Sequence, residues 1–311
     1  MNGVKIRIIR LNAYIYNMVF GRPCDYYLRY TFDRIKRITG EVCDKAPRPL
    51  TILDIGCGFA YPATAILSAL GHTVQGIDII NCFLKDSFSR QFQYRKESVG
   101  PIRATIETPF FYFQGKNKMT GFSRALGKSI NWRSADVAAY DGTKLPYPQN
   151  HFDAIISQDV LEHVMEIDIF WSEVFRTLKP GGKFDMIYHN FYSPSGSHAP
   201  VNPEDPWHHL GIKSNVNKHS SLNRKHPVEI AIAAEKSGLR VTDVRKVAFN
   251  GAVENVDEDF SLEGLKWANP RGRQAEESVE KLFHNYIEGR WNIRTRELPY
   301  VSRWLVCGRK G

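Results

Sequence analysis

Two acids and two glycines near the start of the most regular segment have the spacing of a nucleotide-binding turn. The run TILDIGCGFAYPATAILSALGHTVQGID covers residues 51–78 and carries Asp54, Gly56, Gly58 and Asp78. An apolar strand, a glycine turn, a helix and a second strand ending in an acid are typical of nucleotide binding. These residues could therefore bind a nucleotide, either one with phosphates or one without.

The residue types in the turn favour a ligand without phosphate. A dinucleotide turn reads G-x-G-x-x-G, and Tyr61 stands where the third glycine would be. The carboxylate of Asp54 would repel a pyrophosphate at the helix N-terminus, whereas it would suit a ligand with an ammonium and a sulfonium group. Asp78 can accept hydrogen bonds from both ribose hydroxyls. S-adenosylmethionine (SAM) matches these residues better than NAD or FAD does.

Histidines supply the candidate catalytic groups. His189 follows an apolar run and could act as a general base, because the pKa of histidine lies near neutrality. His163 lies in QDVLEHV, and His208 lies in DPWHHL. Each of the three could instead be structural. Asp159 and Glu162, which precede His163, could either cap a helix or touch a substrate.

A metal site is not expected from the remaining histidines. His208 and His209 lie near Asp205 and His198 in the sequence. Adjacent histidine side chains point in different directions in a strand or a helix, so both rarely bind one ion. No H-x-x-x-H or C-x-x-C spacing supports a site, and we therefore predict no metal ligand.

Strands that alternate with helices must position these residues. The pattern predicts strands at 51–55, 73–78, 131–136, 152–159, 182–190, 240–248 and 303–309, and helices at about 60–70, 82–95, 166–178 and 226–239. This order predicts an α/β fold with a doubly wound, mostly parallel, seven-stranded sheet. The first 50 residues read as helical, with Gly40 close to the end of a helix.

The motifs resemble those of the class I SAM-dependent methyltransferases, specifically the small-molecule type called methyltransferase type 11, over about residues 50–190. LDIGCGFA resembles the glycine turn, GID the ribose-binding acid, and SAD with KLPYPQNHFD the adenine-binding stretch. FDAIISQDVLEHV with RTLKPGGKF resembles the fourth strand, the helix behind it and the turn into the fifth strand. The resemblance implies a Rossmann-like methyltransferase fold, SAM as cofactor and S-adenosylhomocysteine as product.

The resemblance also implies which residues contact the cofactor. They are Asp54, Gly56, Cys57, Gly58, Asp78, Ile79, Asp136, Val137, Gln158 and His163. Asp136 would hold the adenine amino group and Val137 would pack on the ring, with Asp141 as an alternative to Asp136.

Three long connections exceed what such a sheet needs. We expect a helical cap at 1–50 and a SAM-binding domain at 51–311, with insertions at about 96–130, 190–225 and 250–299. Connections of this length are usually functional lids or disordered segments. The N-terminal helices, the 96–130 insertion and the 190–225 loop are expected to enclose the acceptor of the methyl group.

The charge distribution bears on the acceptor and on partners. The chain has a net charge of +9. Residues 1–50 carry +6 (ten basic minus four acidic residues) and residues 85–133 carry +7 (ten minus three). Such a field could attract an anionic acceptor, or a membrane surface through the basic N-terminus. No RNA-binding module is recognisable, so a nucleic-acid partner is not expected.

We predict methyl transfer from SAM to a small-molecule, lipid-linked or glycan-linked acceptor, at oxygen. Transfer to nitrogen or carbon of a natural product, or a catalytically silent SAM-binding partner subunit, are the alternatives. An NAD-dependent oxidoreductase is disfavoured by Asp54 and by the missing third glycine. Five cysteines without a C-x-x-C pair indicate a reducing compartment, and we expect the cytoplasm, with or without membrane association.

Overall fold

A computed structural model gives the fold of most of the chain. It describes residues 24–42, 49–140, 144–194, 196, 198, 207–210, 222–247, 270–283, 291, 293, 295, 298, 301 and 303–311. Seven strands form one sheet in the order β3-β2-β1-β4-β5-β7-β6. They are β1 (Thr51–Ile55), β2 (Thr73–Asp78), β3 (Asp136–Ala139), β4 (Phe152–Gln158), β5 (Leu178–His189), β6 (Leu239–Val247) and β7 (Arg303–Lys310). Among the described strands, β7 runs in the opposite direction to the other six, so the sheet is mostly parallel and the predicted fold class is confirmed.

Helices cover both faces of the sheet. They are α1 (Cys24–Arg37), α2 (Pro62–Ala69), α3 (Phe88–Val99), α4 (Pro101–Leu126), α5 (Ile167–Thr177), α6 (Pro227–Lys236) and α7 (Pro270–Leu282). One core contains Trp171 of α5 and Ile230 of α6, and the other contains Ile66 of α2 and Met119 of α4. Burial on both faces explains why the parallel strands are nearly continuous apolar runs. Among the described helices, none combines the length and apolarity needed to cross a bilayer.

The parallel strands bring distant residues to one edge. β1, β2, β3, β4 and β5 run in the same direction, so their carboxyl ends meet there. Ligands of open α/β sheets bind at this edge. Asp78 ends β2, Gln158 ends β4 and His189 ends β5. The edge therefore positions these three candidate residues.

The connection between β2 and β3 is a helical hairpin. The sequence placed an insertion at about 96–130, and α3 and α4 occupy most of that range and pack against each other. Gly115 lets α4 approach closely, because a Cβ there would lie 2.7 Å from a methyl carbon of Leu84. The predicted third strand at 131–136 is wrong. A short turn, Trp132–Ser134, occupies that place, and β3 begins where the prediction ended.

Two arginines fasten α1 to the sheet. The Arg37 guanidinium donates hydrogen bonds to both carboxylate oxygens of Asp185, which is completely buried on β5. Nη2 of Arg34 lies 3.8 Å from Oδ1 of Asp54 on β1. Removing one partner of a buried ion pair typically costs about 3–5 kcal/mol, because the other charge is left uncompensated. These two pairs therefore hold α1 in place.

Candidate active site

The N–H groups of the glycine turn are already engaged. Gly56 and Cys57 donate to the carbonyl of Ile77 at 2.7 and 3.1 Å, and Gly58 donates to Oδ2 of Asp78 at 2.8 Å. Gly56 and Gly58 have φ values of 71° and 74°, which favour glycine. A phosphate at such a turn needs free N–H donors. The turn is therefore unsuited to a phosphate, in agreement with the prediction from the residue types.

The end of β2 offers the acceptors and the surface that an adenosine group requires. Asp78 accepts hydrogen bonds from Gly58 and from Ile80, and its carboxylate keeps further lone pairs for ribose hydroxyls. Ile79 beside it is 80% exposed and presents an apolar surface. A Cβ built on Gly58 meets nothing within 4 Å, so there is open space above the turn. This acid, apolar surface and space fit SAM.

Asp54 does not face this space, and the structure corrects its expected role. Its side chain is 2% exposed and accepts a hydrogen bond from Oγ1 of Thr64 at 2.8 Å. Burial raises its pKa, although the positive charge of Arg34 opposes the shift. Asp54 points to the face of β1 that α1 and α2 cover, and its contacts with Arg34 and Thr64 tie these two helices to the strand. Cys57 is likewise buried in that core, and burial raises the pKa of its thiol.

Asp136 and Val137 lie away from the carboxyl edge, and their predicted adenine contacts are corrected. Asp136 begins β3, where it pairs with Gln75, three residues before the end of β2, and accepts a hydrogen bond from its amide at 2.9 Å. Val137 is buried in the core. Since β3 ends at Ala139, the residue after its carboxyl end is Tyr140. The alternative, Asp141, lies outside the described residues.

The carboxyl end of β4 leads into a charged network. Asp159 has a φ of 56° and receives two hydrogen bonds from the Arg303 guanidinium of β7, at 2.7 and 3.1 Å. Burial opposes the charge of Asp159, but Arg303 outweighs it and lowers the pKa. The Gln158 amide lies 3.3 Å from the same carboxylate. Asp159 and Gln158 therefore belong to an ion-pair network, not to a helix cap.

A carboxylate and three histidines meet beside this network. Nδ1 of His189 lies 3.0 Å from Nε2 of His198, which lies 3.7 Å from Oε1 of Glu162. The exposed ring of His163 packs edge-on against that of His198, with 4.9 Å between centroids. The structure thus brings two of the predicted catalytic histidines, His163 and His189, together with His198. From the sequence alone, His198 is considered only beside His208 and His209.

The environment of this cluster disfavours charge on two of its members. Burial, with the nearby Asp159 carboxylate, raises the pKa of Glu162 to about 8. Burial, with the positive charge of Arg303, lowers the pKa of His189 to about 4. At neutral pH, His189 is therefore an uncharged imidazole that can accept a proton or donate a lone pair.

Two asparagines, missed in the sequence, hold the loops around the cluster. The Asn223 amide donates to the carbonyls of Leu161 and Val164, and its backbone N–H donates to the Glu162 carbonyl at 2.8 Å. The buried Asn190 donates to the carbonyls of Leu298 and Val301, both at 2.7 Å. Neither lies in a recognisable motif, and only their position beside strand ends or loops could have drawn notice.

His208 belongs to a short turn, His208–Leu210, and its side chain lies outside the described residues, as does Asp205. His209 is buried, and its Nε2 lies 2.8 Å from the carbonyl oxygen of Phe191. Among the described residues, the group that could hold a metal ion therefore does not include His209. His198 instead lies with His189 and Glu162.

Comparisons with known proteins agree with this architecture. Residues 116–186 match the methyltransferase domain family. The chain is 26% identical over 228 residues to a ubiquinone biosynthesis O-methyltransferase of Brucella anthropi, which covers 70% of this chain and 74% of that protein. It is 24% identical over 137 residues to a sterol 24-C-methyltransferase of Gibberella zeae, which covers 44% of this chain and 27% of that protein. The chain thus spans about a quarter of that sterol methyltransferase.

Among solved structures, the fold is similar to phosphoethanolamine N-methyltransferase 2 of Haemonchus contortus in complex with phosphomonomethylethanolamine and S-adenosylhomocysteine. The TM-score is 0.46 at 17% identity, over 96% of this chain and 56% of that chain. Residues 116–186 thus match a methyltransferase domain, and the sheet is the seven-stranded, mostly parallel one that the resemblance to the class I SAM-dependent methyltransferases implies. Both findings support the predicted resemblance to the SAM-dependent methyltransferases.

Proposed function

We propose that the protein transfers a methyl group from SAM to a hydroxyl oxygen of a small, lipid-like acceptor. One observation carries this proposal: the glycine turn with Asp78 and the cluster of Glu162, His189 and His198 lie at the same edge of the sheet. The first can bind the cofactor, and the second offers lone pairs where an acceptor proton must leave.

Methyl transfer is an in-line displacement, so the protein must hold the acceptor oxygen close to the sulfonium methyl and exclude water. A hydroxyl also needs to lose its proton. His189 is uncharged near neutral pH and can assist this loss, with His163 and His198 beside it. Oxygen as the acceptor atom is further supported by the ubiquinone O-methyltransferase, a relative that covers most of this chain.

A lipid-like acceptor is supported by the outer face of α4. Ile102, Ile106 and Phe113 are 79%, 50% and 60% exposed, and their spacing places them on one side of the helix. Arg103 next to them is also exposed and pairs with Glu107 at 2.6 Å, within the strongly basic stretch 85–133. An apolar stripe with basic neighbours suits an anionic membrane surface. Contact through the basic N-terminus is part of the same proposal, although residues 1–23 lie outside the described residues.

The proposal is tested first on the cofactor and then on the acceptor. SAM and S-adenosylhomocysteine should raise the melting temperature, whereas NAD should not. The protein is then incubated with methyl-labelled SAM and a cell extract that has been separated into lipid, small-molecule, RNA and protein fractions. Label in the lipid or small-molecule fraction, found as an O-methyl group by mass spectrometry, supports the proposal. Label on nitrogen or carbon, or in RNA or protein, contradicts it.

Tight SAM binding without label in any fraction would favour a silent partner subunit.

The proposed membrane contact is tested separately, by sedimenting the protein with vesicles of phosphatidylglycerol and phosphatidylcholine. Changing Ile106 and Phe113 together to Asp should abolish sedimentation. Leu282→Asp, which alters an equally exposed apolar residue on α7, is the matched control and should leave it unchanged. Equal sedimentation of all three proteins would refute the membrane contact.

A further inference from the structure

Three potential metal ligands converge at the carboxyl edge of the sheet. Glu162 comes from the turn after β4, His189 from the end of β5 and His198 from the segment after β5. One ligand atom of each lies within 4.8 Å of those of the other two. The two measured edges of this triangle are 3.0 Å between the imidazole nitrogens and 3.7 Å between His198 and the carboxylate.

These separations are those that a single small divalent ion requires. Zinc binds histidine nitrogen at about 2.0–2.1 Å and carboxylate oxygen at about 2.0–2.2 Å in a tetrahedron, so two ligand atoms lie about 3.3 Å apart. The two measured edges, 3.0 and 3.7 Å, lie on either side of this separation. Its donor set, two imidazoles and one carboxylate, is that of catalytic zinc sites in which the fourth position stays open.

Glu162 gives a second and independent indication. Its side chain is 3% exposed, and neither carboxylate oxygen has a hydrogen-bond partner among the described residues. A buried carboxylate without hydrogen bonds is costly, because burial removes the water that would solvate it. A cation between Glu162 and the histidines would satisfy it. The hydrogen bonds from Asn223 to the carbonyls around Glu162 would keep its carboxylate in place.

We propose that Glu162, His189 and His198 bind one divalent transition-metal ion of the zinc type, which takes the acceptor oxygen at its open position. The role of the ion in the reaction rests on the proposed methyl transfer, whereas the binding of the ion does not. With its nitrogen on the ion, His189 no longer takes the acceptor proton itself; the ion replaces it in this role, because an acceptor hydroxyl on the ion loses its proton to water more readily. Its oxygen lone pair then forms a bond to the methyl carbon as the carbon–sulfur bond of SAM breaks, and S-adenosylhomocysteine leaves.

Metal binding is measured without SAM and without an acceptor, so its outcome is separate from that of the proposed function. The full-length protein, prepared without a polyhistidine tag, is stripped with a chelator and titrated with Zn²⁺ by calorimetry and with Co²⁺ by visible absorption. We expect one ion per chain and the visible bands of four-coordinate Co²⁺.

Two variants locate the site. Glu162→Gln keeps the shape of the side chain, and His198→Ala changes a partly exposed residue, so both should fold. Each should weaken Zn²⁺ binding at least about tenfold and change the Co²⁺ spectrum. His151→Ala, a histidine beside the amino end of β4 at the opposite edge, is the matched control and should bind as the unaltered protein does.

Two results would overturn the proposal. One is the absence of stoichiometric Zn²⁺ or Co²⁺ binding by the folded, unaltered protein. The other is binding that persists in both variants, since the ion would then lie elsewhere. If metal binds as proposed but no methyl acceptor is found, only the proposed function fails.

Discussion

The cofactor half and the acceptor half of the sheet edge are built in different ways. At the ends of β1 and β2, the turn is closed by bonds between near neighbours, and Gly58 and Asp78 are 20 positions apart. At the ends of β4 and β5, Asp159 is bonded to Arg303, 144 positions away, and Leu161 to Asn223, 62 positions away. The proposed cofactor site is thus contained in one short segment, whereas the proposed acceptor site depends on segments that only the fold brings together.

The sharpest test of this division is Glu162→Gln. The cluster then loses a carboxylate, and methyl transfer should slow about 100-fold, within the range for the loss of a group that assists proton removal. SAM affinity should stay within about twofold, because Asp78 and the turn are unchanged. Turnover of the labelled acceptor and calorimetric SAM binding measure the two effects. A parallel loss of SAM affinity would show that the halves are not separate.

Acid should weaken the scaffold of the acceptor half through His226. This residue is 1% exposed and caps α6 by accepting a hydrogen bond from the N–H of Val228 at 3.0 Å. Burial lowers the pKa of His226 to about 4, below the value of about 6.5 in an unfolded chain. Between these values, the unfolded chain binds the proton and the folded chain does not. The stabilisation is therefore complete above pH 6.5 and is lost as pH falls toward 4.

His226→Asn keeps a side chain that can cap a helix but does not titrate. The free energy of unfolding of the unaltered protein should fall about 2 kcal/mol more than that of the variant between pH 6.5 and 5. Urea unfolding at several pH values measures the difference. Identical pH profiles would mean that His226 is not held uncharged in the folded protein.

Asp78→Ala should act on the cofactor half alone. We expect SAM affinity to fall at least about tenfold, or about 1.4 kcal/mol, because the ribose hydroxyls lose their acceptor. Zn²⁺ binding at the acceptor half should not change. Glu97→Ala removes an exposed acid of α3 and serves as the control for charge. Unchanged SAM affinity in Asp78→Ala would mean that the ribose lies elsewhere.

The smallest effect is expected for Asn223→Ala. The turn that carries Glu162 loses two hydrogen bonds from the Asn223 amide, and the acceptor half should become less well ordered. We expect kcat to fall about fivefold through misplacement of the reacting groups, with KM for SAM unchanged. Steady-state kinetics separate the two constants. An effect on the KM for SAM alone would contradict the assignment of Asn223 to the acceptor half.

The sequence predicted the elements that depend on local patterns. Alternating apolar strands and amphipathic helices were enough for six of the seven strands, and the G-x-G spacing with Asp78 was enough for the glycine turn that Asp78 closes. β3 was misplaced because its apolar stretch is short, and the assignment of Asp136 failed with it. The registers of edge strands depend on their partners, and the partner of β3 is β2.

Contacts between distant segments could not be predicted from the sequence. Asp54 was expected to face the ligand, but the approach of Arg34 and Thr64 places it in a buried network on the other side of the strand. The grouping of His198 with Glu162 depends on the path of the chain after β5, for which no periodicity exists. The same holds for Asn223. The types of these residues allow several roles, and only their burial and their hydrogen-bond or ion-pair partners in the folded protein decide between them.

The fastening of α1 has a consequence for the modularity of the chain. The segment APRP at 46–49 looks like a place where a preceding helix could be exchanged or removed. Cutting there would leave Asp54 and Asp185 buried without Arg34 and Arg37, at a cost comparable with the whole stability of many domains. The helix is thus an inseparable piece of the folding unit, and a chimera that borrows another N-terminal segment must bring two arginines with it.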